Sequence, residues 1–197
     1  GKSTFIKMIK KKYSPKDIYF AAEPVTEWTN IKGNNLLDNF YKDKERWSYT
    51  FQNYAYITRL MELQNAIKSG KKYIITERSI FTDKHIFAKM LNEEKHMTDM
   101  EMEMYNKWFD YFSIDVTCNI YIKTDLQNCL KRIKIRNRTG EDQIPEHYLK
   151  SLEEKHNDWL LNNQQNVLVI SGNEDFKNDE KIASKLFEKF DKYIKSL

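Results

Sequence analysis

The chain has 197 residues, the size of one domain, so one site or one surface should account for it. Hydrophobic residues at 40% and aromatics at 14% are enough to fill a core and exclude disorder, while only 5 Gly and 3 Pro argue against a many-turned all-β sandwich and for long helices. A formal charge of +4, with 33 Lys plus Arg and 29 Asp plus Glu spread along the chain, excludes a histone-like nucleic-acid coat.

The chain opens Gly1-Lys2-Ser3-Thr4, followed by Phe5, Ile6, Met8 and Ile9 at helical spacing. This is the back half of a GxxxxGK[ST] phosphate loop, in which a helix N-terminus and backbone amides hold phosphate oxygens, the Lys reaches the outer phosphates and the Ser ligates magnesium. It is also a tetrapeptide that chance can place at a helix start. If the loop is real, a strand and the loop's front should precede Gly1, roughly 10 residues in all. Because the first residue is not Met, any targeting segment would also lie upstream.

Short β-branched or aromatic runs then alternate with helical patterns. Strands are predicted at about 17–22, 73–76, 117–122 and 166–170. Helices are predicted at about 48–68, with Gly70 as a stop, and at 81–92, 99–111, 125–136, 145–162 and 179–196. Asp125 suits an N-cap and Pro145 a first-turn position. In the long helix, Phe51, Tyr54, Ala55, Thr58, Met61, Leu63 and Ile67 form the expected apolar stripe. Strands separated by helices imply a parallel sheet covered on both faces. There is no repeat or linker, and hence no predicted domain boundary. Cys118 and Cys129 lack metal or CxxC spacing, which fits a reducing compartment, and no apolar run approaches the length of a membrane span.

Three further elements carry chemistry. Glu23-Pro24-Val25, with Trp28 after it, ends the first strand, and a carboxylate at the C-terminal edge of a parallel strand suits a general base or simply a turn. Glu77-Arg78-Ser79 follows the second strand, with Asp83 and Phe87 beyond it; Glu77 can hold magnesium and Arg78 can reach phosphate oxygens, or Arg78 can pair with a nearby acid. Lys131, Arg132, Lys134, Arg136 and Arg138 form a basic cluster that reads as a solvated face or an RNA-phosphate patch. With 27 Lys and only 6 Arg, each arginine is the more informative, because it offers a bidentate fork that Lys cannot replace.

Taken together, GKSTF, EPVTEW, FYKDKERWSYTFQNYA, ERSIFTDKHIFA, RIKIRNR, IPEHYLKSLEEKHNDWLL and GNEDF, in this order and spacing, resemble the deoxynucleoside kinase family over nearly the whole chain. The resemblance implies a P-loop kinase fold: one α/β domain over 1–197, a five-stranded parallel sheet with helices on both faces and its first strand upstream, and a mobile lid at about 131–144. It implies ATP-dependent phosphorylation of a deoxyribonucleoside 5′-hydroxyl in nucleotide salvage, with ATP or another nucleoside triphosphate and Mg2+. Glu23 resembles the base at the 5′-hydroxyl and Arg78 its companion. Gly1, Lys2, Ser3 and Thr4 resemble the end of the phosphate loop, with Ser3 and Glu77 on the metal. Arg132, Arg136 and Arg138 resemble the lid arginines. Tyr41 and Glu141 resemble the pair on the 3′-hydroxyl. Gln52, Arg59 and Asp83 resemble the readers of the base edge, with Trp28, Phe51 and Phe87 as walls, and Asp175 and Phe176 resemble the adenine loop. Gly140 departs from the family, which often has an acid there.

The charged Arg59 and Asp83 point to deoxycytidine or a purine deoxynucleoside rather than thymidine. A homodimer through the helices at 48–68 and 81–92 is expected, with no nucleic-acid or membrane partner and a cytoplasmic or mitochondrial location. The alternatives are a thymidylate-type monophosphate kinase, or a non-catalytic member of the kind found as an accessory subunit of a respiratory complex. The latter should lose the base, the lid arginines or ERS, and this chain keeps them.

Overall fold

A computed structural model describes residues 1–136, 145–162, 164 and 166–197. It divides into two compact units, one made of Gly1–Lys7 with Val116–Leu197 and the other of Met8–Asp115.

In the second unit, β1 (Ile18–Ala21) and β2 (Tyr73–Thr76) pair in parallel, Ile18 opposite Tyr73 and Ala21 opposite Thr76. Both strands are runs of β-branched and aromatic residues, which favour the pleated backbone. After α1 (Lys2–Lys12) and β1 come two short helices that the sequence pattern did not announce, α2 (Val25–Thr29) and α3 (Leu36–Lys42). Asn35 caps α3 through the Asp38 amide at 2.9 Å. The long helix α4 (Lys44–Lys68) starts four residues earlier than expected, because the Asp43 carboxylate accepts from the Arg46 amide at 3.0 Å. The helix expected at 81–92 is three pieces: α5 (Ile80–Thr82), a π-helical segment Asp83–Ala88, and α6 (Lys89–Glu93). Helix α7 (Asp99–Phe112) closes the unit behind a Thr98–Glu101 capping box. The core gathers Trp28, Phe40, Phe51, Tyr56, Tyr105 and Phe109 between these helices.

The buried face of α4 differs from the expected stripe. Phe51, Ala55 and Thr58 are buried as predicted, but Met61 and Ile67 are exposed, and Ser48, Gln52 and Arg59 are inside. This helix buries polar groups as well as apolar ones, so hydrophobicity alone misassigns its faces.

In the first unit, β3 (Asn119–Lys123) and β4 (Val167–Ser171) also pair in parallel, from Asn119 opposite Val167 to Lys123 opposite Ser171. Helix α8 (Leu126–Arg136) begins behind Asp125, which accepts from the Asn128 amide at 3.0 Å. Pro145 is the extended N-cap of α9 (Glu146–Asn157) rather than a first-turn residue, and a π-helical turn, Asp158–Asn162, ends the segment predicted to be one helix. Helix α10 (Glu180–Lys195) packs Phe187 and Phe190 on Phe5 of α1, with ring centroids 6.1 and 5.6 Å apart. Among the described residues the four strands thus form two parallel pairs. No helix there is long and apolar enough to cross a membrane.

At Gly172, after β4, the amide donates to the Lys123 carbonyl at 2.6 Å, and a Cβ would lie 2.0 Å from Thr124 Oγ1 and 3.1 Å from the Lys123 carbonyl oxygen. Gly172→Ala is therefore expected to lose about 1–3 kcal/mol through overpacking, a fall in melting temperature of roughly 3–10 °C. A thermal melt unchanged within a degree would show that the backbone yields freely there.

Candidate active site

The chemistry of the second unit converges on one guanidinium. Arg59 of α4 is almost fully buried and directs each of its three nitrogens to a different acceptor. Nε lies 2.9 Å from Asp83 Oδ2 as an ion pair. Nη1 donates to the Glu77 carbonyl at 3.1 Å. Nη2 donates to Glu23 Oε1. The guanidinium carbon also stands 5.1 Å from the centre of the Trp28 ring. A lysine could satisfy one of these acceptors but not the fork.

Glu23 follows β1, as the strand-edge reading expected. Its Oε1 accepts a second guanidinium, Arg78 Nη1, at 2.9 Å. Arg78 adopts a left-handed backbone with φ of 64°, and its guanidinium also lies 4.8 Å from the centre of the Phe87 ring. A left-handed conformation at a residue with a side chain is disfavoured and persists only where surrounding contacts hold it, which happens disproportionately at functional positions. Here the following residue holds it, because Ser79 and Thr82 form a reciprocal capping box at the start of α5. Both readings of Arg78 meet: it is paired with an acid, and that acid is the candidate base.

Asp83 opens the π-helical segment and is fully buried. Burial raises its carboxyl from the usual range to about 6, against the pull of Arg59 and Arg78, while Glu23 pushes in the same direction as burial. π-helical insertions recur at functional sites, where they re-aim side chains. This one places Asp83 on Arg59 and Phe87 on Arg78.

The walls are ordered by aromatic contacts. Trp28 meets Phe51 edge-on at 5.5 Å, and Phe51 stacks on Phe40 at 4.7 Å. The buried indole N–H of Trp28 donates to Thr58 Oγ1 at 2.9 Å. Thr58, one residue before Arg59, was expected only as part of an apolar stripe, and Phe40 was not singled out. Gln52 is buried on α4, two turns before Arg59 and on its face. Tyr41 lies at the exposed end of α3, its ring 5.3 Å from Phe40. Glu77 directly follows β2, and its amide donates to the Ala21 carbonyl at 3.2 Å.

In the first unit, Gly1 precedes α1, and Lys2 and Ser3 are exposed in its first turn. Gly1 is closely packed: a Cβ there would lie 3.0 Å from Ile122 Cγ2 and 3.4 Å from the Phe176 ring. Phe176 is buried, and the Asp175 carboxylate turns its own loop by accepting from the amides of Lys177 and Asn178 and from the Asn178 side chain. The bond from Asn178 leads the causes that hold Asp175 below the usual carboxylate range. Arg132 is half-buried on α8, one turn after Cys129, whose thiol is raised chiefly by burial. Arg136 ends α8. Arg138, Gly140 and Glu141 lie outside the described residues, so the Tyr41–Glu141 pair and most of the expected lid do too. Among the described residues, no group of three or more His, Cys, Asp and Glu is placed to hold a metal ion.

The "Deoxynucleoside kinase" family profile matches residues 1–195. The chain belongs to the deoxynucleoside kinase family. It is 37% identical over 206 residues to the probable deoxycytidine kinase of Fowlpox virus (strain NVSL), the whole chain aligning with 85% of that protein. It is 32% identical over 233 residues to the deoxycytidine kinase of Mus musculus, covering all of this chain and 88% of the relative. The mitochondrial deoxyguanosine kinase of Xenopus laevis is 29% identical over 231 residues, covering all of this chain and 86% of its own. Kinases of this family use ATP and serve nucleotide salvage, and the family has the P-loop kinase fold.

The raised carboxyl of this kinase can be observed directly. In the folded protein Asp83 takes up a proton near pH 6, whereas in the unfolded chain it does so near the ordinary 3.8. Between these values the folded state binds the extra proton, so this group's contribution to stability grows as pH falls through 6. Carbon-13 NMR of the carboxyl carbons should show one Asp with a midpoint near 6. A midpoint below about 4.5 for Asp83 would mean that the guanidiniums outweigh burial.

Proposed function

We propose that this kinase transfers the γ-phosphoryl group of ATP to the 5′-hydroxyl of deoxycytidine or a purine deoxynucleoside and discriminates against thymidine. The observation that carries the reading is the buried Arg59–Asp83 pair, tied through the same guanidinium to Glu23. Arg59 and Asp83 together form a donor and acceptor edge. An ionised Asp83 accepts from an exocyclic amino group. Thymine offers a carbonyl instead, leaving a buried acceptor without a donor, and its methyl group crowds the slot.

The remaining roles follow the chemistry of phosphoryl transfer, which needs in-line placement and positive charge more than covalent work by the protein. Glu23 takes the proton of the 5′-hydroxyl, and Arg78, bonded to the same Oε1, steadies that hydroxyl. Gln52 reads the base beside Arg59, while Trp28, Phe51 and Phe87 wall it. Tyr41 and Glu141 hold the 3′-hydroxyl. Lys2, Thr4 and the amides at the start of α1 bind the triphosphate, Arg132, Arg136 and Arg138 neutralise charge on the transferring group, and the backbone at Asp175–Phe176 receives adenine. The Ser3 hydroxyl and Glu77 carboxylate are hard oxygen donors suited to Mg2+, which would take its other oxygens from water and phosphate. That ion supplies charge neutralisation on the phosphates. The same reading includes a single domain with a lid at about 131–144, a five-stranded sheet with a strand ahead of Gly1, and a cytoplasmic or mitochondrial location.

An ADP-release assay of the protein with each of the four deoxynucleosides tests this. Thymidine efficiency should fall roughly tenfold to a hundredfold below the best amino-bearing substrate, the effect of one unpaired buried acceptor at about 1–3 kcal/mol. Glu23→Gln should lower turnover about 10²- to 10⁴-fold with little change in nucleoside KM. Thymidine matching the others would overturn the base-slot reading, and near-normal turnover of the variant would remove Glu23 as the base.

We also infer a homodimer, through α4 and α7. Ile86, Ala88, Met90 and Leu91 of the expected second helix at 81–92 are buried, so we take the second face from α7 instead. Exposed apolar groups are available on α7, where Met100, Met104, Trp108 and Tyr111 form one stripe at 71, 44, 50 and 82% exposure, and on α4 at Ile57, Met61 and Ile67. Light scattering at micromolar concentration should give twice the chain mass, reduced to one by Trp108→Glu. A monomer mass for the unaltered chain would reject the dimer.

A further inference from the structure

A tyrosine hydroxyl next to the segment that carries Asp83 makes no hydrogen bond. Tyr105 is 0% exposed, and among the described residues its hydroxyl has no hydrogen-bond partner. An unbonded hydroxyl in a core is disfavoured, and phenylalanine would fill the same volume without it. Tyr56 offers the contrast. Its ring lies 5.8 Å from that of Tyr105, yet its hydroxyl donates to the Trp108 carbonyl at 3.3 Å.

The position of Tyr105 on α7 is fixed by what the same face grips. One turn on, Phe109 meets Phe81 edge-on at 5.2 Å and takes the Lys84 ammonium over its ring at 4.2 Å. Lys84 also binds Asp110 at 2.7 Å, and four-fifths of its side chain is shielded from solvent. Helix α7 therefore holds chain on both sides of Asp83, at Phe81 and at Lys84. Burial first and the Asp83 carboxylate second raise the Tyr105 phenol well above its ordinary value, with Tyr56 adding and Arg59 opposing. The phenol remains a protonated donor close enough to feel that carboxylate.

We propose that Tyr105 is a positioning residue for base recognition, its hydroxyl donating to the Asp83 carboxylate when a nucleobase fills the slot. The proposal rests on Arg59 and Asp83 being the base readers. In the free protein Arg59 serves Asp83, Glu23 and the Glu77 carbonyl at once. Among the described residues, Asp83 Oδ2 stands 2.9 Å from Arg59 Nε yet accepts no hydrogen bond, so the carboxylate has room for a donor besides the base. A neutral phenol supplies it without disturbing the charge balance of Glu23 and Asp83 against Arg59 and Arg78. A third cation would upset that balance.

Steady-state kinetics of Tyr105→Phe, Asp83→Asn and the double variant, with deoxycytidine, the purine deoxynucleosides and thymidine, decide the matter. Tyr105→Phe should raise KM for the best amino-bearing substrate about tenfold to a hundredfold, the value of one hydrogen bond to a charged group. Its kcat should stay within about twofold, thymidine should be little affected, and the melting temperature should hold or rise. In the Asp83→Asn background the same change should do nothing further. Unchanged kinetics in Tyr105→Phe, an equal loss for all substrates, or a full effect persisting without Asp83 would each overturn the role of Tyr105. If Asp83→Asn itself leaves the base preference unaltered, the base-reading assignment fails first, and the role of Tyr105 fails with it.

Discussion

The organisation of the Met8–Asp115 unit depends on keeping one guanidinium out of water. A buried charge is tolerated only when it is opposed and most of its hydrogen-bonding groups are met, and Arg59 has two hydrogen bonds and two acidic partners from three separate parts of the chain. Glu23 comes from the end of β1, the Glu77 carbonyl from the end of β2, and Asp83 from the π-helical segment. The parallel register of β1 and β2 sets two of these acceptors side by side, because Ala21 opposite Thr76 brings the residues after both strands to the same edge. Removing one acidic partner would leave the charge stranded, which is why a site of this kind resists piecemeal substitution.

Local irregularity around that pair has a consistent direction. The left-handed Arg78, the capping box at Ser79 and the π-helical turn at Asp83 fall within six residues, immediately after β2. A regular helix starting at the strand end would carry Asp83 and Phe87 one turn apart on its own cylinder. The wider π-helical turn instead lets Asp83 meet Arg59 while Phe87 lies beneath Arg78. The Lys84 clamp on α7 gives the irregular stretch an external support that its own backbone bonding supplies poorly.

These features were unequally legible in the sequence. The four strands were visible because β-branched and aromatic runs stand out from a Lys-rich background, and the middle of α4 was visible from its length. Arg59 could be singled out because arginine is rare here and lysine cannot make a fork. The faces of α4 were not legible, since Gln52 and Arg59 are buried while Met61 and Ile67 are not, and hydrophobicity ranks them in the opposite order. Helices α2 and α3 were missed because five and seven residues are too few to establish a period. The π-helical break looks like continuous helix in a pattern read at 3.6 residues per turn. Nothing in the spacing of Lys84 and Asp110, 26 residues apart, announces their pairing.

Helix α7 ties the Asp83 side of this unit to its surface. Its inner face carries Tyr105 and Phe109 against the Asp83 segment, and its outer face presents Met104, Trp108 and Tyr111. The two faces meet at Trp108, whose side chain is half exposed while its backbone carbonyl accepts the Tyr56 hydroxyl. Burial, with Asp110 adding, pushes the Tyr56 phenol up to about 12, so this link between α4 and α7 keeps its donor proton across the physiological range. A group that covered the outer stripe would therefore bear on the helix that fixes Lys84, and through Lys84 on the placement of Asp83. The apolar surface and the buried ion pair are two sides of one helix, and a change in how α7 is held would be felt at both.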